Sequence, residues 1–502
     1  MPSFVRQKLL GYLLLVSLVL LPSFLFWDGL WLRFGFRDDY STLREAHEEP
    51  GKLFMFCAAQ GRPLYGMLVE STFAELHGIN ALPWARILGA LSIGVVCAFT
   101  AWLLERQGWP RRVSLLCGLL LGLLPSAQVV INWGSCWPHA FAAALGVLAF
   151  ALNDRGLRDP RPLRRLPWVL AGTAVLLCGL LVYQPDALVY VVPLSAGFLL
   201  WGRAQTRSSL SWMIHHVALV CLALVMAFVV VKGLFLLEGF PSSKRVCFEA
   251  DLPGKLLWFL REPLDNVLGL FVLEDSLGRP VSGHDLTAYL VGLVIVLGLV
   301  VQCRREGWRH GLLVLAGGLA FCTLAYAVSL IAAERWASYR TLYALTGVVV
   351  VFLMHSLWKL GDLVPRLGRH LAFVVMLGLV SLGAIQAAHS SEELFAMPQS
   401  RELQLLERET ACINPSKDPR VYIVLPDPAA TRSSLRYLDE YGSLSADTEW
   451  CTKEMVGLIL QERFPDEPDV DERVKLNFGY IPPRHPALYD TVIDLRVRPA
   501  GR

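Results

Sequence analysis

Apolar runs of nearly twenty residues recur from the start of this chain to about position 390, and no other feature limits its fold so tightly. Runs of that length match the ~30 Å hydrocarbon layer of a bilayer, where a helix satisfies its own backbone hydrogen bonds. They read as about eleven spans: 9–26, 84–104, 113–130, 137–152, 168–183, 187–201, 212–235, 286–302, 311–333, 341–358 and 371–388. Composition agrees with this reading. Of 502 residues, 54% are hydrophobic and 18% charged, with a mean hydropathy of +0.47; soluble domains carry roughly 25% charged residues. Collagen, intrinsic disorder, a disulfide-stapled miniprotein and a nucleic-acid-binding module are excluded. Most of the 11 cysteines sit inside apolar runs as small hydrophobes.

Charge placement orients the helices. With the N-terminus inside, the interior loops hold Arg6 and Lys8, Arg106 to Arg112, Arg155 to Arg165, Arg203 and Arg207, Arg304 to Arg309, and Lys359 to Arg369. The short exterior loops 132–136 and 184–186 hold no Lys or Arg. Positive residues near span ends stay in the cytoplasm, so one orientation serves every loop. Phe24, Phe26 and Trp27 stand where a signal-peptide cleavage site needs small residues, so the first run is expected to remain as a span.

The expected fold class is thus an all-α polytopic membrane protein with a small exterior α/β C-terminal domain. Residues 1–388 form the transmembrane module, with long exterior loops at 27–83 and 236–285, and 389–502 form the exterior domain. Cys412 and Cys451 lie in that domain and are candidates for a disulfide if the compartment is oxidising.

Polar residues collect at the outer level. No span carries Asp or Glu near its centre and no repeat relates two halves, which argues against a secondary transporter. The first exterior loop opens Arg37-Asp38-Asp39-Tyr40, an acidic pair suited to holding a divalent cation (Mg or Mn) or to general-base work. A solvated helix cap is the plainer reading of the same pair. Arg62, in Gly61-Arg62-Pro63-Leu64, suits a phosphate or carboxylate, or equally a lipid headgroup. His139 tops the fourth span among anchoring tryptophans, and Tyr183 and Gln184 face outward from a tight turn. Glu334, Arg335 and Arg340 close the ninth span and open the tenth, where arginines fit a lipid-borne phosphate or simply snorkel. Glu274-Asp275 and Lys244-Arg245 are weaker candidates in the second long loop.

This order of features resembles the GT-C membrane glycosyltransferases, closest to the bacterial O-antigen glucosyltransferases of the Gtr type II kind. The likeness rests on the Asp38-Asp39 loop after the first helix, the Gly61-Arg62-Pro63-Leu64 segment, the Tyr183-Gln184 turn and the Glu334-Arg335 to Arg340 cluster. It implies transfer of a sugar, a hexose such as glucose, from a polyprenyl-phosphate carrier to a glycan or lipid-linked acceptor. The reaction would occur at the outer face of the bacterial inner membrane, with the C-terminal domain periplasmic. It assigns the catalytic carboxylate to Asp38 or Asp39, and substrate or phosphate contacts to Arg37, Arg62, His139, Tyr183, Gln184, Glu334, Arg335 and Arg340. No nucleotide-sugar cofactor is expected, since no Gly-rich phosphate loop follows a strand. An O-antigen polymerase or ligase, or a lipid-linked sugar flippase, are the rival readings.

Overall fold

The computed structural model describes residues 3–201, 206–240, 247–277, 281–427, 435–467 and 470–496. It is mostly helical. Among the described residues, eight helices are long and apolar enough to cross a membrane, and a ninth span results if the pair Arg111–Leu121 and Pro125–Asn132, bent by 52°, counts as one. Pro125 opens the second half of that pair, where a missing N–H costs nothing.

Two of the expected spans differ from a plain crossing. The first is the helix Ser3–Leu25, of which Leu13–Leu25 is the apolar stretch among the described residues. The 187–201 run is broken into Gln184–Ala187, a 3-10 turn Leu188–Tyr190 and Val191–Leu199. Every residue from Pro185 to Leu199 is buried. This segment packs among other helices rather than against lipid, so it escapes the length that lipid contact imposes. Trp109 Nε1–H and Gln107 Nε2–H, at the far end of the Leu82–Gln107 helix, donate to its Ala196 and Pro193 carbonyls. Close helix approach holds it there: a Cβ on Gly146 would collide with the Ala187 carbonyl.

The loop after the first span folds into the helices Asp38–Glu48, Lys52–Ala59 and Pro63–Phe73. The second long loop carries Leu252–Arg261 and Pro263–Leu268. Beyond position 388 the last membrane helix does not stop. Gly368–Ser391 passes through a π turn at Glu392–Ala396 into Met397–Thr410, so the compositional boundary falls inside a continuous helical run.

The C-terminal part is a three-stranded parallel sheet of order β2-β1-β3, with β1 Arg420–Val424, β2 Lys475–Gly479 and β3 Thr491–Asp494. Val421 pairs with both Leu476 and Thr491. Val421, Ile423 and Ile493 join Met455, Val456 and Leu460 of the Glu449–Arg463 helix in one core. That core also takes in Tyr40, Leu43 and Phe73 of the loop after the first helix, so the tail and the loop share a single apolar interior. Cys412 is exposed and Cys451 buried, and both are free thiols. The disulfide expectation fails because Cys451 faces the Arg37 carbonyl while Cys412 sits at the surface on the Glu409 carbonyl.

Candidate active site

One cavity of about 750 Å³ lies where three membrane helices have their ends: the start of Trp137–Arg158, the end of Pro162–Val182 and the turn before Tyr343–Gly361. Its lining brings together Asp38, Arg62, His139, Tyr183, Gln184, Glu334 and Arg340 from widely separated segments. Arg37, Asp39 and Arg335 are not part of that lining.

The two adjacent carboxylates have opposite surroundings. Asp38 is the first residue of the Asp38–Glu48 helix and faces the cavity. Asp39 is fully buried beneath it. Its Oδ2 accepts the N–H groups of Phe36 and Gly134 at 3.0 and 3.1 Å, and its Oδ1 that of Ser135 at 2.6 Å. Burial outweighs these donors and raises its carboxyl to about 6. With both oxygens engaged by backbone, Asp39 fixes the Trp133–Cys136 turn to the loop. Among the described residues, the group that could gather around a metal ion is Asp265, His284 and Asp285, whose donor atoms lie within 4.8 Å of one another, outside the cavity.

Arg37 explains why Asp38 points as it does. Its φ of +45° lies in the left-handed region that L side chains rarely adopt. The conformation is held from the tail: its N–H donates to Ser445 Oγ at 2.9 Å and its guanidinium meets Asp447 at 3.2 Å. Strain of this kind persists only where the surroundings over-determine it.

Arg62 caps the Pro63–Phe73 helix, with Gly61 before it at φ +79°. Its guanidinium lies 4.6 Å over the Tyr183 ring. Gln184 Nε2–H donates to the Gly61 carbonyl at 2.6 Å, so the turn expected to aim at a ligand also braces the arginine loop. His139 stacks on Tyr183, ring centroids 3.6 Å apart, and its Nδ1 is 3.0 Å from Asp186 Oδ2. Glu334 lines the cavity, whereas Arg335 turns away and ties the second long loop through Glu249 and Asp251 at 3.3 and 3.1 Å. Arg340 lies 4.4 Å over the Trp133 ring, near Asp439 at 3.3 Å. Glu440 accepts the N–H of Tyr339 at 2.8 Å and of Arg340 at 3.2 Å. Burial pushes the Glu440 carboxyl up to about 7.

Three lining residues escape the sequence argument. Lys232 is visible near the C-terminal end of its apolar run, but only the fold brings it into one cavity with Arg62 and Asp38. Tyr65 follows Arg62 by three positions and reads as ordinary helix interior; its hydroxyl donates to the Ser135 carbonyl at 2.7 Å. Asp439 belongs to the tail, where an Asp-Glu pair in a loop gives no hint of contact with a helix turn. Glu274 and Asp275 lie outside the cavity lining, Asp275 accepting the N–H groups of Leu277 and Arg436. Lys244 and Arg245 lie outside the described residues.

The cavity has a distinct apolar flank. Leu224, Val225, Phe228 and Val231 line it from the Thr206–Glu238 helix. Val225 and Phe228 are also 60% and 43% exposed. The helix that supplies this flank is long and apolar enough to cross a membrane, and most of its apolar stretch is left uncovered by the rest of the described chain.

No protein-family model and no curated protein matches the sequence. Among solved structures, the chain is similar to the oligosaccharyltransferase AglB of Archaeoglobus fulgidus in complex with an inhibitory peptide and a dolichol-phosphate. That alignment has 12% identity, covers 90% of this chain and 64% of the other, and has a TM-score of 0.46. The A. fulgidus oligosaccharyltransferase with Zn and sulfate aligns at 12% identity over 89% and 61% with a TM-score of 0.44. Its apo form aligns at 11% over 89% and 63%, with a TM-score of 0.45. The chain thus spans less than two thirds of the length of these structures, and at such scores the overlap bears neither on family nor on chemistry.

Proposed function

We propose that the protein is a membrane glycosyltransferase that moves a sugar from a polyprenyl-phosphate carrier to an acceptor hydroxyl. The observation that carries this reading is one cavity lined by a carboxylate, Asp38, together with Arg62, Lys232 and Arg340, with an apolar flank supplied by a helix long and apolar enough to cross a membrane. A lipid-linked sugar has the matching anatomy: an isoprenoid tail, a phosphate at headgroup depth and a sugar beyond it. The tail lies along Val225 and Phe228, and the guanidinium groups meet the phosphate.

In the reaction, the acceptor oxygen attacks the anomeric carbon as the bond from that carbon to the phosphate oxygen breaks. Asp38 receives the acceptor proton, and Arg62 and Arg340 stabilise the charge that develops on the departing phosphate. Direct displacement inverts the anomeric configuration. Asp39 serves as a positioning residue, holding the loop on which Asp38 stands. The sequence likeness to O-antigen glucosyltransferases points to a hexose such as glucose as the sugar and to an envelope glycan as the acceptor. The arginine-rich helix ends, Arg106, Arg155, Arg158, Arg304 and Arg305, lie at the opposite end of the bundle from the cavity. That distribution supports a cavity on the outer side of a bacterial inner membrane.

The test is mass analysis of envelope glycans from cells with and without the protein, and from cells carrying Asp38→Asn at equal protein level. A single-hexose difference that disappears in the variant is expected. Unchanged glycans in the deletion, or full activity of the variant, overturn the reading.

A further inference from the structure

A second cavity, of about 860 Å³, sits at the other end of the helices that build the first. The Trp137–Arg158 helix starts at one cavity and ends at the other, a path of about 30 Å at 1.5 Å per residue. Its walls are the end of the Leu82–Gln107 helix, the end of Trp137–Arg158 and the start of Pro162–Val182. Five arginines line it: Arg106, Arg155, Arg158, Arg161 and Arg164.

The acidic residues present do not balance them. Asp154 is engaged by Arg158 at 2.7 Å and by Trp212 Nε1–H at 2.8 Å. Asp159 takes the backbone N–H of Arg161 at 2.9 Å. Among the described residues, Arg155 and Arg106 are held only by aromatic faces, Arg155 over Trp168 at 3.9 Å and Arg106 over Trp102 at 4.7 Å. Stacking on an indole orients a guanidinium while leaving its N–H donors available. Leu163, Leu166 and Leu170, beside this cavity, are 89%, 56% and 59% exposed, a surface for acyl chains.

A basic pocket between membrane helices, floored by polar groups and fringed with exposed leucines, has the chemistry to hold a phosphate headgroup. We infer that this second cavity binds a phosphate-bearing group, the headgroup of an anionic phospholipid or a free phosphate ester, through Arg164 and through Arg155 held on the Trp168 face. The inference stands apart from any reading of the first cavity.

The experiment uses the full chain in nanodiscs of phosphatidylcholine, with or without phosphatidylglycerol, read by native mass spectrometry of retained lipid. Separate arms add glycerol phosphate or inorganic phosphate to the neutral discs. Wild-type protein is expected to retain phosphatidylglycerol, and Arg155→Gln with Arg164→Gln to lose that retention by about tenfold or more. Arg165→Gln, whose side chain does not line the cavity, is expected to retain lipid as wild type does. Binding of glycerol phosphate or inorganic phosphate in neutral discs, lost in the double variant, assigns the site to a free phosphate. Arg164→Gln alone, at an exposed position, provides the same comparison if the double variant does not purify. Equal retention by wild type and variants, with no phosphate binding in either arm, overturns the inference.

Discussion

The Glu440 carboxylate accepts the backbone N–H of Tyr339 at 2.8 Å, joining a loop of the C-terminal part to the turn that carries Arg340. Glu440 is fully buried, and removing its oxygens strands the N–H groups of both Tyr339 and Arg340. Each buried orphan costs about 1–3 kcal/mol. Glu440→Ala is therefore expected to lower the thermal midpoint and to reduce sugar transfer by about tenfold or more, while Glu440→Gln retains part of both. Differential scanning fluorimetry with a transfer assay on the purified protein checks this.

The adjacent carboxylates are expected to separate cleanly on mutation. Asp38→Asn should purify in normal yield with transfer reduced about 10²- to 10⁴-fold, the range for a lost general base. Asp39→Asn places an amide against the three backbone donors at Phe36, Gly134 and Ser135, so its deficit should appear first in yield and thermal midpoint. Size-exclusion profiles beside turnover measurements distinguish the two; equal behaviour of both variants contradicts the division of roles.

Protonation of Glu440 gives a pH dependence with a definite sign. Its carboxyl is raised from 4.5 to about 7 by burial, so the folded protein holds this proton more tightly than the unfolded chain. The resulting stability is full below about pH 4.5 and is lost as pH rises through about 7, on the order of 3 kcal/mol in all. Asp39, raised from 3.8 to about 6, acts in the same direction. Thermal midpoints measured from pH 4.5 to 7.5 should fall less steeply in Glu440→Gln than in wild type; parallel curves contradict the assignment.

Arg62 and Arg335 look alike in sequence and should not behave alike. Arg62 lies over Tyr183 inside the cavity, so Arg62→Lys, which loses the planar fork, should raise KM for the lipid donor by about tenfold. Arg335 is half exposed and paired with Glu249 and Asp251, so Arg335→Gln should leave kcat and KM near wild type and change stability little, because solvent screens such a pair. Donor titrations of both variants decide the point.

The sequence by itself determined that the chain crosses a membrane many times, because a bilayer fixes the length of an apolar helix and places arginine at one side. It also singled out punctuation that the cavity gathers: Asp38 at a helix start, Arg62 before Pro63, Tyr183 at a break. These signals are local, since caps, prolines and apolar lengths act within a few residues. Only the tertiary structure separated the places of the two carboxylates, Asp38 on the cavity wall and Asp39 buried behind it. The difference depends on the N–H groups of Gly134 and Ser135, far along the chain, and no local pattern encodes that meeting. The same holds for the 187–201 run, whose helix is short and broken because protein rather than lipid surrounds it. Asp439 reached the cavity in the same way: its position depends on a core shared between the tail and the loop after the first helix, a long-range packing event with no periodicity of its own.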